Sequence, residues 1–188
     1  NEVTFAVLSD TAANLGTNGA VVNAALGQAT AVSTTAAGST AAQLNYMDAN
    51  AASGVEVDAT AATGVDGAIA DVLTATADTS GAINVDTNYT STVSGDQAST
   101  LSSLNTLMGR TTGNITATIG SGTAAAIDTA LSNGSATDVL SITTGSTTTT
   151  AAVINSLDGK TSEDVNVSAI TAITGTVANG ATMVGNDG

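Results

Sequence analysis

The chain reads as an α/β repeat protein, a solenoid of about seven strand-plus-short-helix rungs of roughly 27 residues each. Three observations lead there. Short runs rich in Val, Ile and Thr, alternating with period two as half-buried strands do, recur at regular spacing. Ala-rich stretches between them carry larger apolar residues at helical spacing. Pro is absent, as suits strands whose every N–H is needed for a ladder.

In chain order the predicted strands begin near Val3, Ala29, Val55, Ile83, Asn114, Val139 and Asp164, at intervals of 26, 26, 28, 31, 25 and 25 residues. Helices are predicted in between, of two alternating kinds. One kind carries an i, i+4 apolar pair: Val22 with Leu26, Ile69 with Leu73, Ile127 with Leu131. The other carries a Leu-Asn motif: Leu44-Asn45-Tyr46-Met47-Asp48, Leu104-Asn105-Thr106-Leu107-Met108-Gly109 and Ile154-Asn155-Ser156-Leu157-Asp158-Gly159. Gly109 and Gly159 are expected to end their helices in the left-handed region. A last helix-like segment runs from Ile170 to Met183. If the Ala-rich stretches proved irregular, the alternative would be an all-β solenoid.

Residues 1–188 are thus expected to form a single array, open at both ends. Helices this short are marginal alone and need a neighbour to pack on. No polar capping rung is visible, so Val3, Phe5 and Val7 at one end and Ile173, Val177 and Met183 at the other are the expected assembly surfaces. A further copy would continue the strand spacing in register, which points to copies of the chain itself as partners, head to tail. The chain begins Asn1-Glu2-Val3, without an initiator Met, so a removed leader or a longer parent chain is expected.

Composition limits function. Ala (36) and Thr (35) exceed a third of the residues, and Leu, Ile, Val and Phe together are about a fifth, so patterning rather than bulk hydrophobicity must specify the fold. Net charge is −14, with Arg110 and Lys160 the only cations, which excludes ordinary nucleic-acid binding. No apolar stretch is long enough to insert into a membrane. His and Cys are absent, removing the commonest bases, nucleophiles and transition-metal ligands. A Ser-Lys pair around Lys160, or the carboxylates Glu56/Asp58 and Glu163/Asp164, are the remaining catalytic candidates, without the aromatics that sugar sites use. The expectation is no enzyme.

No cofactor is required, and calcium is the one worth weighing. Asp58, Asp86, Asp138 and Asp187 are oxygen donors in or beside strands and turns, where stacking would align them; the plainer reading is that they solvate those turns. Four sequons, at Asn88, Asn114, Asn133 and Asn166, are expected by chance in so Thr-rich a chain. Arg110 and Lys160 both follow the Gly of a Leu-Asn helix, either complementing that helix's dipole or reaching acids on a neighbouring rung.

The segments Leu104–Gly113 and Ile154–Thr161 resemble the Ala/Thr-rich "LNxLDGKT" repeats of giant exported surface proteins, notably those of marine cyanobacteria. The first copy, Leu44–Asp48, lacks the Gly-Lys-Thr continuation. The resemblance implies an extracellular or cell-surface location and no catalytic residue. With the repeat pattern, it leads to an expected structural role: self-association into a filament or surface layer. The alternatives are an adhesin-like module, an ice-binding module, or a segment of a giant surface protein.

Overall fold

A computed structural model describes residues 6–17, 19–35, 38–77, 82–145 and 147–185. It is a mixed α/β structure with parallel sheets, eight helices among the described residues and no closed barrel. Two compact units are present: Asn1–Val93 with Arg110–Gly113, and Ser94–Gly109 with Asn114–Gly188. Val3 and Phe5 of the expected surfaces, and Asp187 of the expected ligands, lie outside the described residues.

The first unit contains β1 (Leu8–Asp10), α1 (Ala12–Leu15), α2 (Ala20–Leu26), β2 (Val32–Thr34), β3 (Gly38–Thr40), α3 (Ala41–Asn50), β4 (Val57–Ala59), β5 (Gly64–Ala68), α4 (Ile69–Ala75), β6 (Ile83–Val85) and the first half of β7 (Ser91–Asp96). One sheet has the order β1-β2-β4-β6, all parallel, with Leu8 beside Val32, Val32 beside Val57 and Val57 beside Ile83. That column is apolar and, from Val32 onward, buried, as the alternation predicts. A second parallel set pairs β3 with β5 in register, Gly38 on Gly64, and β5 with the start of β7 through Gly64 and Thr90.

The second unit holds the rest of β7, α5 (Leu101–Met108), β8 (Ile115–Gly122), α6 (Ala124–Ala130), β9 (Val139–Thr144), β10 (Thr148–Thr150), α7 (Ala151–Asp158), β11 (Ala172–Thr174) and α8 (Val177–Gly185). β8 and β9 run parallel from Thr116 on Val139 to Gly122 on Thr144, with an irregularity between Ile119 and Ser121. β10 pairs parallel with β11. Strands pair with the strand one repeat on, and neighbouring helices pack together: α3 on α4, α5 on α6, α6 on α7, α7 on α8.

Several expectations are refined. Where one strand per repeat was expected, the first unit forms two, as β2–β3, β4–β5 and β6–β7. Asp side chains brace the bends that follow β4 and β6. Asp58 accepts hydrogen bonds from the Thr60 N–H (3.1 Å) and hydroxyl (2.7 Å), and Asp86 accepts from the Thr87 N–H at 2.7 Å. The segment at Asp164 makes only one bridge, Thr143 to Asn166, and the strand of that repeat is β11. The expected helix from Ile170 begins only at Val177. In α4 the buried face is Val72 and Ala75, one step round from the Ile69/Leu73 pair. Gly109 and Gly159 do end their helices, but at φ −76° and −66°, in the right-handed region. The reason for Gly109 is space: a Cβ there would meet Asn133 Nδ2 at 2.9 Å.

Why so lean a chain packs is legible in recurring small residues. Thr-Ala-Ala opens α1, α3, α6 and α7, and Thr11, Thr40, Thr123 and Thr150 each accept a hydrogen bond from the N–H three residues on. The first Ala of each (Ala12, Ala41, Ala124, Ala151) is buried, at 2% exposure or less. A Cβ at Gly67 (φ +148°) would lie 3.6 Å from that of Ala41, and one at Gly175 (φ +154°) 3.4 Å from that of Ala151. These positive φ values favour Gly, and small facing residues let successive repeats approach. Leu44, Met47 and Tyr89 fill the first core, and Leu104, Ile119, Ile127, Leu140 and Leu157 the second.

Candidate functional site

The residues singled out by the Leu-Asn motif are those that tie one repeat to the next. Asn45 in α3 donates from Nδ2 to the Asp71 carbonyl in α4 at 3.0 Å, 26 residues on. Asn155 in α7 does the same to the Asn179 carbonyl in α8, also at 3.0 Å. Asn105 in α5 donates to Ser132 Oγ (3.2 Å), while its Oδ1 accepts from the Asn133 N–H (2.8 Å) and its carbonyl from Asn133 Nδ2 (3.0 Å). All three copies of the motif Asn therefore reach forward to the following repeat.

The same helices reach backward. Tyr46 in α3 donates its hydroxyl to Asn23 in α2. Arg110, just after α5, donates from Nη1 to the Leu73 carbonyl near the end of α4 (2.6 Å) and to Thr76 Oγ1 (3.3 Å). Lys160, just after α7, donates from Nζ to the Asp128 carbonyl near the end of α6 (2.8 Å) and pairs with the Asp128 carboxylate. Of the two readings weighed for these cations, contact to an acid of the preceding helix is formed by Lys160, whereas Arg110 meets a carbonyl and a hydroxyl there. Each sits where the preceding helix presents unpaired C-terminal carbonyls, so charge and hydrogen bond act together.

The Thr that follows each cation completes the arrangement. Thr111 Oγ1 donates to the carbonyls of Thr87 (3.2 Å) and Tyr89 in the preceding strand region. Thr161 Oγ1 is bonded to the Leu140 N–H and carbonyl, both at 2.9 Å. The sequence Leu/Ile-Asn-x-Leu-x-Gly-Arg/Lys-Thr is thus a linking element whose Asn points forward and whose cation and Thr point back.

The expected metal ligands that are described each accept hydrogen bonds from nearby backbone N–H groups. Asp58 and Asp86 are exposed turn-formers. Asp138 is buried (4% exposed) and accepts from the Ile115 N–H (2.8 Å) and the Ser135 N–H (3.0 Å), closing a loop onto a strand. Among the described residues no three His, Cys, Asp or Glu side chains gather closely enough to hold a metal. The sequence cue for the turn role was present in Asp58-Ala59-Thr60 and Asp86-Thr87, where a short acidic side chain precedes a free N–H. Ser156, the Ser nearest Lys160, donates its hydroxyl to Asp128 (2.6 Å), and Lys160 in turn donates toward Ser156 Oγ (3.4 Å).

Tyr89 lies beside Arg110 and is 1% exposed. Burial pushes its phenol up from the ordinary value, and the nearby Thr76 hydroxyl and Arg110 charge act the other way.

The end repeats look different from the inner ones. The large hydrophobics exposed among the described residues are Val7 (62%), Ile173 (40%) and Val177 (91%). Val7 adjoins β1, the edge of the first unit's four-stranded sheet; Ile173 lies on β11, which pairs with β10 in a two-stranded sheet among the described residues, and Val177 opens α8. Met183, on the same helix, is half-buried. No helix among the described residues is long and apolar enough to cross a membrane. The chain matches no protein-family model, no curated protein and no solved structure.

Proposed function

We propose that this chain is an extracellular structural repeat protein whose rungs stack into an α/β solenoid and continue, copy on copy, head to tail into a filament or surface layer. The observation that carries the reading is the placing of exposed apolar side chains: Val7 beside the edge strand of the first repeat, Ile173 and Val177 on the edge strand and helix of the last. Inner helices have neighbours tied to them from Asn45, Asn105, Asn155, Arg110 and Lys160. An uncovered strand edge with apolar side chains is a template for another chain.

A structural role also accounts for the chemistry. Lys160, the one candidate base for a Ser-Lys pair, is engaged by Asp128. The acidic, Thr-rich exterior keeps a long assembly solvated. The resemblance of the linking element to repeats of giant exported proteins supports the surface location, and joining within a longer chain would use the same end faces.

The test is Val177→Glu, a change on a 91%-exposed side chain, followed by sedimentation velocity and negative-stain electron microscopy. The unaltered protein is expected to form concentration-dependent linear species and the variant to remain short, with unchanged circular dichroism. A dispersed monomer for both, with and without millimolar calcium, would overturn noncovalent joining.

A further inference from the structure

Asn133-Gly134, in the loop between α6 and β9, is a reactive pair that the tie from α5 restrains. Asn is a thermolabile residue. A following Gly, with no Cβ beside its nitrogen, leaves the backbone freest to close on the Asn side chain. The chain holds three such pairs, at Asn18, Asn133 and Asn179. Asn18 lies outside the described residues. Asn179-Gly180 is in the first turn of α8, where the Gly180 N–H donates to the Thr176 carbonyl at 3.1 Å. Asn133, by contrast, is exposed and outside any helix or strand.

Deamidation of such a pair gives up two N–H groups. The Gly nitrogen must lose its proton before it attacks the Asn Cγ, and the Asn Nδ2 must leave as ammonia. In the folded chain both groups are engaged. The Gly134 N–H donates to the Leu131 carbonyl at 3.2 Å, and Asn133 Nδ2 donates to the Asn105 carbonyl at 3.0 Å. The Asn133 N–H is held as well, on Asn105 Oδ1 at 2.8 Å. Gly109 completes the seat, since a Cβ there would stand 2.9 Å from Asn133 Nδ2 and 3.7 Å from its Cγ.

We propose that Asn133 is a site of spontaneous deamidation, gated by its seat on Asn105 and Gly109, and that the reaction releases the side-chain tie to α5. When the loop opens, the Gly134 nitrogen bonds to Cγ of Asn133, the Cγ–Nδ2 bond breaks and ammonia departs, leaving a five-membered cyclic imide. Water then opens the imide at either carbonyl. One product is a carboxylate in the ordinary linkage, and the other is a backbone lengthened by one methylene. Both lack the Nδ2 donor, and the first sets a carboxylate against the Asn105 carbonyl oxygen. The site does not depend on the assembly reading.

Trypsin, cutting after Arg110 and Lys160, divides the chain into peptides 1–110, 111–160 and 161–188, each with one Asn-Gly pair. Mass spectrometry of these peptides after incubation at mildly alkaline pH follows each pair by itself. Conversion at Asn133 is expected to be slow in the folded protein and fast in urea. Gly109→Ala, which crowds the Asn133 amide at a helix-compatible φ of −76°, should speed the folded reaction about five- to tenfold, the scale of one hydrogen bond, and leave the urea rate unchanged. Asn105→Ala, which removes the bond to the Asn133 N–H, should act in the same direction. Conversion in 161–188 should stay as it was in both variants. Equal rates in folded and unfolded protein would overturn the gate, as would folded rates in both variants no different from that of the unaltered protein. Acceleration of 161–188 in step with 111–160 would mean general unfolding and would overturn the local release. No conversion at Asn133 even in urea would overturn the site itself.

Discussion

At the scale of single residues, Asp works mainly through the backbone. Asp96 accepts from the Gly120 N–H at 2.7 Å, 24 residues on, and from the Ala98 N–H at 2.9 Å. These bonds, the Gly120 one foremost, hold its carboxyl below the usual carboxylate range. Asp10 is lowered in the same way by the Thr11 N–H and the Asn14 side chain. A carboxyl depressed in the folded state stabilises above its unfolded value, near 4, and that contribution is lost as pH falls through the folded value. Asp96→Asn is therefore expected to melt below the unaltered protein at pH 7. The gap should close as the pH falls through about 4 and vanish below the folded value. An equal gap at neutral and strongly acid pH, followed by circular dichroism, would show that the charge is not what matters. These carboxylates were visible in the sequence as oxygen donors, but whether an Asp serves a metal or the nearest N–H depends on backbone direction, which periodicity does not carry.

At the scale of elements, the helices were the most legible part, because Val22–Leu26, Leu44–Asp48, Leu104–Met108, Ile127–Leu131 and Ile154–Asp158 repeat a 3.6-residue pattern. Five of the seven expected strands lie where β2, β4, β6, β8 and β9 form, and the one expected from Val3 begins outside the described residues and overlaps β1. The second strand of each repeat was illegible for a physical reason: Gly38-Ser39-Thr40 and Gly64-Val65-Asp66 have little apolar alternation, and their pairing comes from in-register neighbours. The small residues that permit this spacing give a paired prediction. Gly175→Ala meets Ala151 at a φ of +154° and is expected to cost about 1–3 kcal/mol in chemical unfolding. Gly180→Ala lies inside α8, where a Cβ would have nothing within 4 Å, and should stabilise by roughly 0.5–1 kcal/mol. If both changes moved stability in the same direction, backbone conformation would not be the cause.

At the scale of the whole molecule, each unit lays polar ties between neighbouring helices over its own buried core. Asn105→Ala removes the bonds to Ser132 and to the Asn133 N–H, and is expected to cost about 1–3 kcal/mol, with faster hydrogen exchange at the Asn133 amide. Unchanged exchange there would show that the contact does not order the loop. The motif itself was plain in the sequence, but its two directions were not, since Asn45 and Asp71, or Lys160 and Asp128, are brought together only by the fold, 26 and 32 residues apart in the chain. The ties also have an asymmetry. Those from Asn45 and Asn155, and one of the two each from Arg110 and Lys160, end on main-chain carbonyl oxygens. A carbonyl is present whatever side chain the accepting residue carries. Mutation in an accepting helix therefore leaves the tie in place, whereas mutation of the donor removes it. Over generations the accepting helices are free to drift in wording while the Leu-Asn helices are held, so a lineage of such chains would keep every second helix recognisable and let the others diverge.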